Sequence, residues 1–144
     1  MKINFHLPTF IITATVFSLI FLAGFTFTQQ DKGYILEHEK DIVTEGPGPH
    51  NGGGKTTAYP YFGKFKDAKT VFRKRVLHPG SSIGYHLQES QEIYYIINGN
   101  GEMQMNGKSF PVTNGDAILT LPGSSHGLKP AGDGDLTMLI VYQN

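Results

Sequence analysis

From Thr56 onward the chain never runs far without a residue that breaks regular structure, and this spacing constrains the fold more than any other feature. Apolar and β-branched stretches alternate with His78-Pro79-Gly80, Asn98-Gly99-Asn100-Gly101, Asn106-Gly107, Asn114-Gly115 and Ala131-Gly132-Asp133-Gly134. Short runs bounded by such turn chemistry read as β-strands. Candidate strands lie at Thr56–Phe62, Thr70–Leu77, Ile83–Gln88, Glu92–Ile97, Gly101–Met105, Ser109–Val112, Ala117–Leu121, Gly127–Lys129 and Leu136–Tyr142. Asn106-Gly107 is the strongest hairpin signal, because a type I′ turn needs positive φ at both central residues. No apolar pattern of helical period is long enough to compete. So many short strands cannot lie in one flat sheet, which predicts an all-β domain closed into a small barrel or two-sheet jelly roll.

Composition supports that reading and narrows the function. Glycine accounts for 18 of 144 residues, against a usual share of roughly 7%, and all but Gly24 follow residue 30. With no cysteine, disulfides, thiolate metal sites and cysteine nucleophiles are excluded. A formal net charge of zero argues against a dedicated nucleic-acid binder, whose affinity rests on neutralising phosphates. The zero is an average over segments. Asp31–Glu45 is acidic, Lys55–Arg75 is strongly basic, and the remainder is acidic again.

Between Lys2 and Asp31 there is no charged side chain, and Phe10–Phe27 is nearly all apolar, Thr, Ser or Gly. This shape predicts a signal peptide over residues 1–29. The alternative is an uncleaved membrane anchor, since the run approaches the ~20 residues that span a bilayer. Either way the domain is expected to be exported, periplasmic or secreted, with membrane contact only if the segment is retained. Residues 30–55 read as an extended arm or linker with one short strand at Tyr34–Leu36, leaving 56–144 for the barrel. His50-Asn-Gly-Gly-Gly-Lys55 resembles a phosphate loop only superficially, lacking the preceding strand and following helix. A crossover into the barrel, or an arm exchanged with a neighbouring subunit, accounts for it better.

Residues suited to metal binding gather in one place. His86 and Gln88 are two apart on a strand and share a face, Glu92 opens the next strand, and His126 returns after a separate hairpin. Two imidazoles, a carboxylate and an amide oxygen suit one divalent transition metal, Fe, Mn, Ni or Zn, rather than a soft thiophilic ion. By the same alternation Tyr94 lies on the face of Glu92. It is the candidate catalytic proton donor, or else a packed aromatic whose hydroxyl finds a backbone partner. Arg73 and Arg75 share one face of their strand and Lys74 takes the other. They are either solvated charges protecting a strand or a bidentate grip on an anionic substrate. Met103 and Met138 read as core filler.

The stretch GSSIGYHLQESQEIYYIING over 80–99, with Gly80, His86, Glu92 and Gly99, resembles the first motif of the cupin superfamily. GDAILTLPGSSH over 115–126 resembles the second. The chain is thereby identified as similar to small single-domain bacterial cupins of the type-2 conserved barrel, a resemblance covering about Thr70 to Tyr142. It implies a double-stranded β-helix, or jelly-roll barrel, and commonly a homodimer. It departs from the pattern at Gln88, where the family has a second histidine, at Pro122, one place late, and at Pro130, where an asparagine often closes the motif. Gln88 leaves either a two-His-one-carboxylate set with open positions or a site that no longer binds metal. The resemblance implies a small-molecule ligand and admits several functions. Fe(II)-dependent dioxygenase-type chemistry leads, a sugar isomerase or epimerase comes next, and a non-catalytic sugar-binding module is the non-enzymatic alternative.

Overall fold

In the computed structural model residues 33–143 are described; the signal or anchor expected at 1–29 lies outside the described residues. Ten strands follow a short helix, α1 (Glu39–Ile42): β1 (Thr44–Gly48), β2 (Gly53–Tyr61), β3 (Thr70–Leu77), β4 (Ile83–Leu87), β5 (Glu92–Asn98), β6 (Asn100–Met105), β7 (Lys108–Thr113), β8 (Ala117–Thr120), β9 (Ser125–Pro130) and β10 (Leu136–Gln143). They form a six-stranded sheet, β1-β2-β3-β10-β5-β8, and a four-stranded sheet, β4-β9-β6-β7. The fold is all-β, and every expected strand from Thr70 onward is present within a few residues at either end.

Side-chain alternation places the core. Along β5, Glu92, Tyr94 and Ile96 are buried while Ile93, Tyr95 and Ile97 are exposed, as the two-residue period of a strand requires. Leu136, Met138 and Ile140 on β10 point inward likewise. With Leu77, Ile83, Met103, Val112 and Leu128 they make one apolar cluster, so both methionines are core filler. Asn106 and Gly107 have φ of 48° and 78° and join Met105 to Lys108 across the β6–β7 ladder, the expected type I′ hairpin. The Asn106 side chain also accepts from the Ser125 amide at 2.9 Å, tying that turn to the start of β9.

The stretch read as an arm contains more structure than its composition suggests. Tyr34–Leu36 forms no strand, but Thr44–Gly48 pairs antiparallel with β2. Pro49-His50-Asn51-Gly52 turns between them, with the Gly52 amide donating to the Pro49 carbonyl at 3.0 Å. His50 and Asn51 have φ of 52° and 61°, so this too is a type I′ turn. Its glycines serve close approach rather than flexibility. A Cβ on Gly52 would lie 1.9 Å from the Ser82 carbonyl oxygen, and one on Gly84 would lie 1.9 Å from that of His50. The turn is locked there by the Gly84 amide, which donates to the Pro49 carbonyl at 3.0 Å, and by Ser82 Oγ, which donates to the Gly52 carbonyl at 2.8 Å. On the outer face, Glu39 of α1 accepts from Tyr61 Oη at 2.7 Å and pairs with Lys74, whose ammonium sits over the Tyr59 ring.

These contacts can be tested by substitution. Gly52→Ala forces backbone apart and should cost about 1–3 kcal/mol, seen as a loss of several degrees in Tm; an unchanged Tm would mean the turn is not seated on β4. The bonds from Lys74 and Tyr61 hold Glu39 below its ordinary value of 4.5. The stabilisation they give is therefore present above that value and lost as pH falls through the lowered one. Glu39→Gln should be less stable than the parent at neutral pH by roughly 0.2–1 kcal/mol, given how exposed the pair is. The gap should close in acid, as thermal melts across a pH series would record.

Candidate metal centre

The antiparallel pairing of β4 with β9 sets His86 directly opposite His126, their rings 4.4 Å apart and tilted by 56°. Glu92, the first residue of β5, reaches the pair from the other sheet. Ligand atoms of His86, Glu92 and His126 all lie within 4.8 Å of one another. The His86 Nδ1 atom is 2.8 Å from the Gly84 carbonyl. Because a carbonyl only accepts, Nδ1 carries the proton and the Nε2 lone pair is left for a cation. His126 is fully buried, with its Nε2 atom 2.9 Å from Tyr94 Oη and 3.4 Å from Glu92 Oε2.

Electrostatically this is an incomplete set. Burial pushes the Glu92 carboxyl up, but its contacts with His126 and Tyr94 and the charges of both histidines outweigh that and hold it below the usual range. Glu92 Oε2 is nevertheless buried without a hydrogen-bond donor. A buried carboxylate oxygen held only by a long 3.4 Å approach of His126 Nε2 is incompletely satisfied, and a cation between it and the two imidazoles would complete it. The residues present therefore fit a divalent transition metal bound through nitrogen and oxygen.

The cluster opens on a cavity of about 300 Å³ lined by His50, Arg73, Arg75, His86, Gln88, Glu92, Tyr94 and Tyr142, among others. Gln88 lies just past the end of β4, half-buried, with its backbone held on both sides by Ser124 and Gly123. Arg73 and Arg75 point inward from β3, Lys74 outward, as alternation predicts. Arg75 is buried and donates to Thr56 Oγ1 at 2.8 Å, so it is no solvated surface charge. Burial, then the neighbouring Arg73, draw its pKa down. Among the described residues neither arginine pairs with a carboxylate, and both have a buried Nε without a partner. Tyr94 is a buried aromatic, and its hydroxyl meets His126 rather than a backbone group. Burial and the Glu92 charge hold that hydroxyl well above its ordinary pKa, so it stays a protonated donor.

Sequence reasoning missed a third histidine beside this cluster. His50, delivered by the β1–β2 turn, stacks on His86 with ring centroids 3.5 Å apart and planes within 3°. Burial and the nearby His86 charge lower its pKa, which favours the neutral ring. A local signal existed. Asn and His are the non-glycine types that tolerate positive φ best, so Pro49-His50-Asn51-Gly52 reads as a turn rather than a linker.

Comparison with known proteins agrees with this architecture. The family model described as Cupin domain matches residues 74–142. An oxalate-binding protein of Thermotoga maritima is 43% identical over 72 residues, which make up 49% of this chain and 60% of that one. A 5-nitrosalicylic acid 1,2-dioxygenase of Bradyrhizobium is 30% identical over 69 residues, 47% of this chain and 33% of that one. The aligned stretch thus spans less than two thirds of either relative. Among solved structures, a Thermotoga maritima protein described as a predicted oxalate decarboxylase superposes with a TM-score of 0.65 at 31% identity, covering 74% of this chain and 96% of that one. A polyketide cyclase of Streptomyces resistomycificus gives 0.64 at 22% identity, over 76% and 78% of the two chains; at that identity the likeness is one of fold.

If the unsatisfied Glu92 oxygen is what a cation fills, the parent should gain thermal stability on adding Mn(II), Fe(II), Ni(II) or Zn(II). At a hundredfold excess over Kd the gain is about 2.7 kcal/mol. Glu92→Gln should lose that response, and, because the Glu92 contacts favour the ionised carboxylate in the fold, it should also be somewhat less stable than the parent without metal at neutral pH. A parent protein purified without a His tag whose Tm ignores all four ions would overturn the assignment.

Proposed function

The chain belongs to the cupin superfamily as a type-2 cupin, and from that premise we propose that it captures a small dicarboxylate, oxalate first among them, at a divalent metal held by His86, Glu92 and His126. Gln88 stands beside them as a weaker, neutral oxygen donor. The observation that carries this reading is charge. Two arginines without carboxylate partners open on the same cavity as the cluster, against the buried Glu92 and the exposed Glu89. With a dication in place the cavity is strongly positive, and a dianion offsets most of that excess. The similarity to the Thermotoga oxalate-binding protein supports the same ligand class.

Each residue has a part in such a site. When bound, the metal would supply a Lewis-acid anchor for the carboxylates. Arg73 offers a planar fork that matches a carboxylate edge, and Arg75, fixed by Thr56, holds a second positive charge behind it. Tyr94 keeps a proton at its hydroxyl, in reach of His126 and of a ligand oxygen. Ile83 and Ile140 wall the cavity and limit water around the bound anion. The charge-free apolar segment Phe10–Phe27 supports export, and with it capture outside the cytoplasm.

A second reading, oxidative chemistry at Fe(II), is favoured by the two-His-one-carboxylate set, which leaves open metal positions, and by similarity to the Bradyrhizobium dioxygenase. Calorimetry of metal-loaded protein separates the two. Oxalate should bind and acetate should bind far more weakly. Arg73→Ala should lower oxalate affinity about tenfold or more, as loss of a charge-assisted pair of hydrogen bonds worth ~1.5–3 kcal/mol implies, with metal content unchanged. Oxygen consumption by the Fe(II)-loaded protein on a catechol, flavonol or diketone, together with no heat on adding oxalate, would replace capture by catalysis.

A further inference from the structure

His50 belongs to no strand of the cupin motifs, yet its ring lies parallel to that of His86 at 3.5 Å. The imidazole reaches this place through a backbone conformation that L-residues other than Asn, Asp and His rarely adopt, with φ of 52°. Holding a bulky residue there is strained, and such strain persists only where surrounding contacts fix it. Here they do. The His50 carbonyl approaches Gly84 so closely that no Cβ fits between them, and the Gly84 amide bonds Pro49. Gly84 is also the residue whose carbonyl sets the His86 tautomer. Among the described residues the His50 ring has no hydrogen-bond partner, so the stack on His86 is its one specific contact.

We propose that His50 is a positioning residue for the metal ligand His86, a clamp supplied by the β1–β2 turn that holds the His86 ring with Nε2 aimed at the ion. The proposal rests on the metal reading of His86, Glu92 and His126. His50 is not a fourth ligand, because two parallel rings at this spacing cannot both direct an in-plane lone pair at one ion. Its action is through the face of the ring. Coordination to a dication draws electron density from His86, and a neutral aromatic face stacked on an electron-poor ring is attracted to it, as in cation–π contacts. The stack also blocks rotation of the His86 ring out of line. Both effects favour the metal-bound state over the free one, as partners that orient a ligand generally do.

The test uses the full chain loaded with Co(II), whose visible bands report ligand geometry, and chelator competition for affinity. His50→Ala and His50→Gly should weaken Co(II) binding about tenfold or more and alter the bands. His50→Phe, which keeps a stacking face but no ring nitrogen, should recover most of the affinity and the parent spectrum. His50→Gly relieves the positive φ, so its metal-free Tm should equal or exceed that of the parent, which separates the affinity loss from misfolding. Parent affinity and spectrum in His50→Ala would overturn the proposal, as would a folded His50→Phe no better than His50→Ala. A parent chain that binds no Co(II) would remove the metal reading and this clamp together. A parent that binds, with indifferent His50 variants, would remove the clamp alone.

Discussion

The pairing of His86 with His126 across β4 and β9 depends on register, and the remaining geometry of the cavity depends on that pairing. Strand side chains alternate with a strict period of two, so a slip of one residue would turn His126 out to solvent and bring Ser125 or Gly127 inward. Several contacts prevent the slip. The type I′ turn at Asn106-Gly107 fixes β6 against β7, and β6 in turn pairs with β9, setting Met105 opposite His126. The Asn106 side chain holds the Ser125 amide, and Tyr85 Oη accepts from the Gly107 amide at 3.1 Å. One hairpin therefore indexes both histidine strands.

Around that pair the barrel interior is divided. The apolar cluster of Leu77, Ile96, Met103, Val112, Leu128, Leu136 and Met138 needs no polar partners and supplies most of the burial energy. The other part holds Arg75, Glu92, Tyr94 and His126, all buried and only partly matched with one another. Buried polar groups left unsatisfied weaken a fold. Arg75, Glu92 and Tyr94 also line one cavity, an arrangement that suits a ligand site better than a stabilising network.

How much of this is legible in the sequence varies with the separation of the residues involved. The span Thr70–Leu77 reads correctly because its two ends are marked and its period is clean. The inward faces of β3, β5 and β10 follow from alternation alone, and the same two-residue period puts Tyr94 beside Glu92 and Arg75 beside Arg73. Clustering of His126 with His86 and Glu92 follows from the resemblance to known motifs, since local pattern says nothing about partners forty residues away. β1 and His50 are not legible in the same way. Glycines chosen so that two backbones can touch look, in sequence, like glycines chosen for flexibility, and only the position of Ser82 and Gly84 in space distinguishes them.

The Gly84 carbonyl that sets the His86 tautomer takes up its place only when β4 has formed, so a well-aimed ligand set is a product of folding. His86 and Glu92 are near neighbours in sequence, while His126 must be brought back over a long loop whose closure costs chain entropy. Strand pairings, and the apolar cluster beneath them, meet that cost before any ion arrives. The unfolded chain offers a cation only scattered imidazoles and carboxylates, protonated or misdirected, and binding free energy accrues to the folded barrel alone. Whatever the cavity holds thus acts as a thermodynamic lock on the finished topology. A chain with no cysteine has no cross-link to restrain its unfolded state, so any stabilisation a bound ligand gives would act on the folded barrel instead.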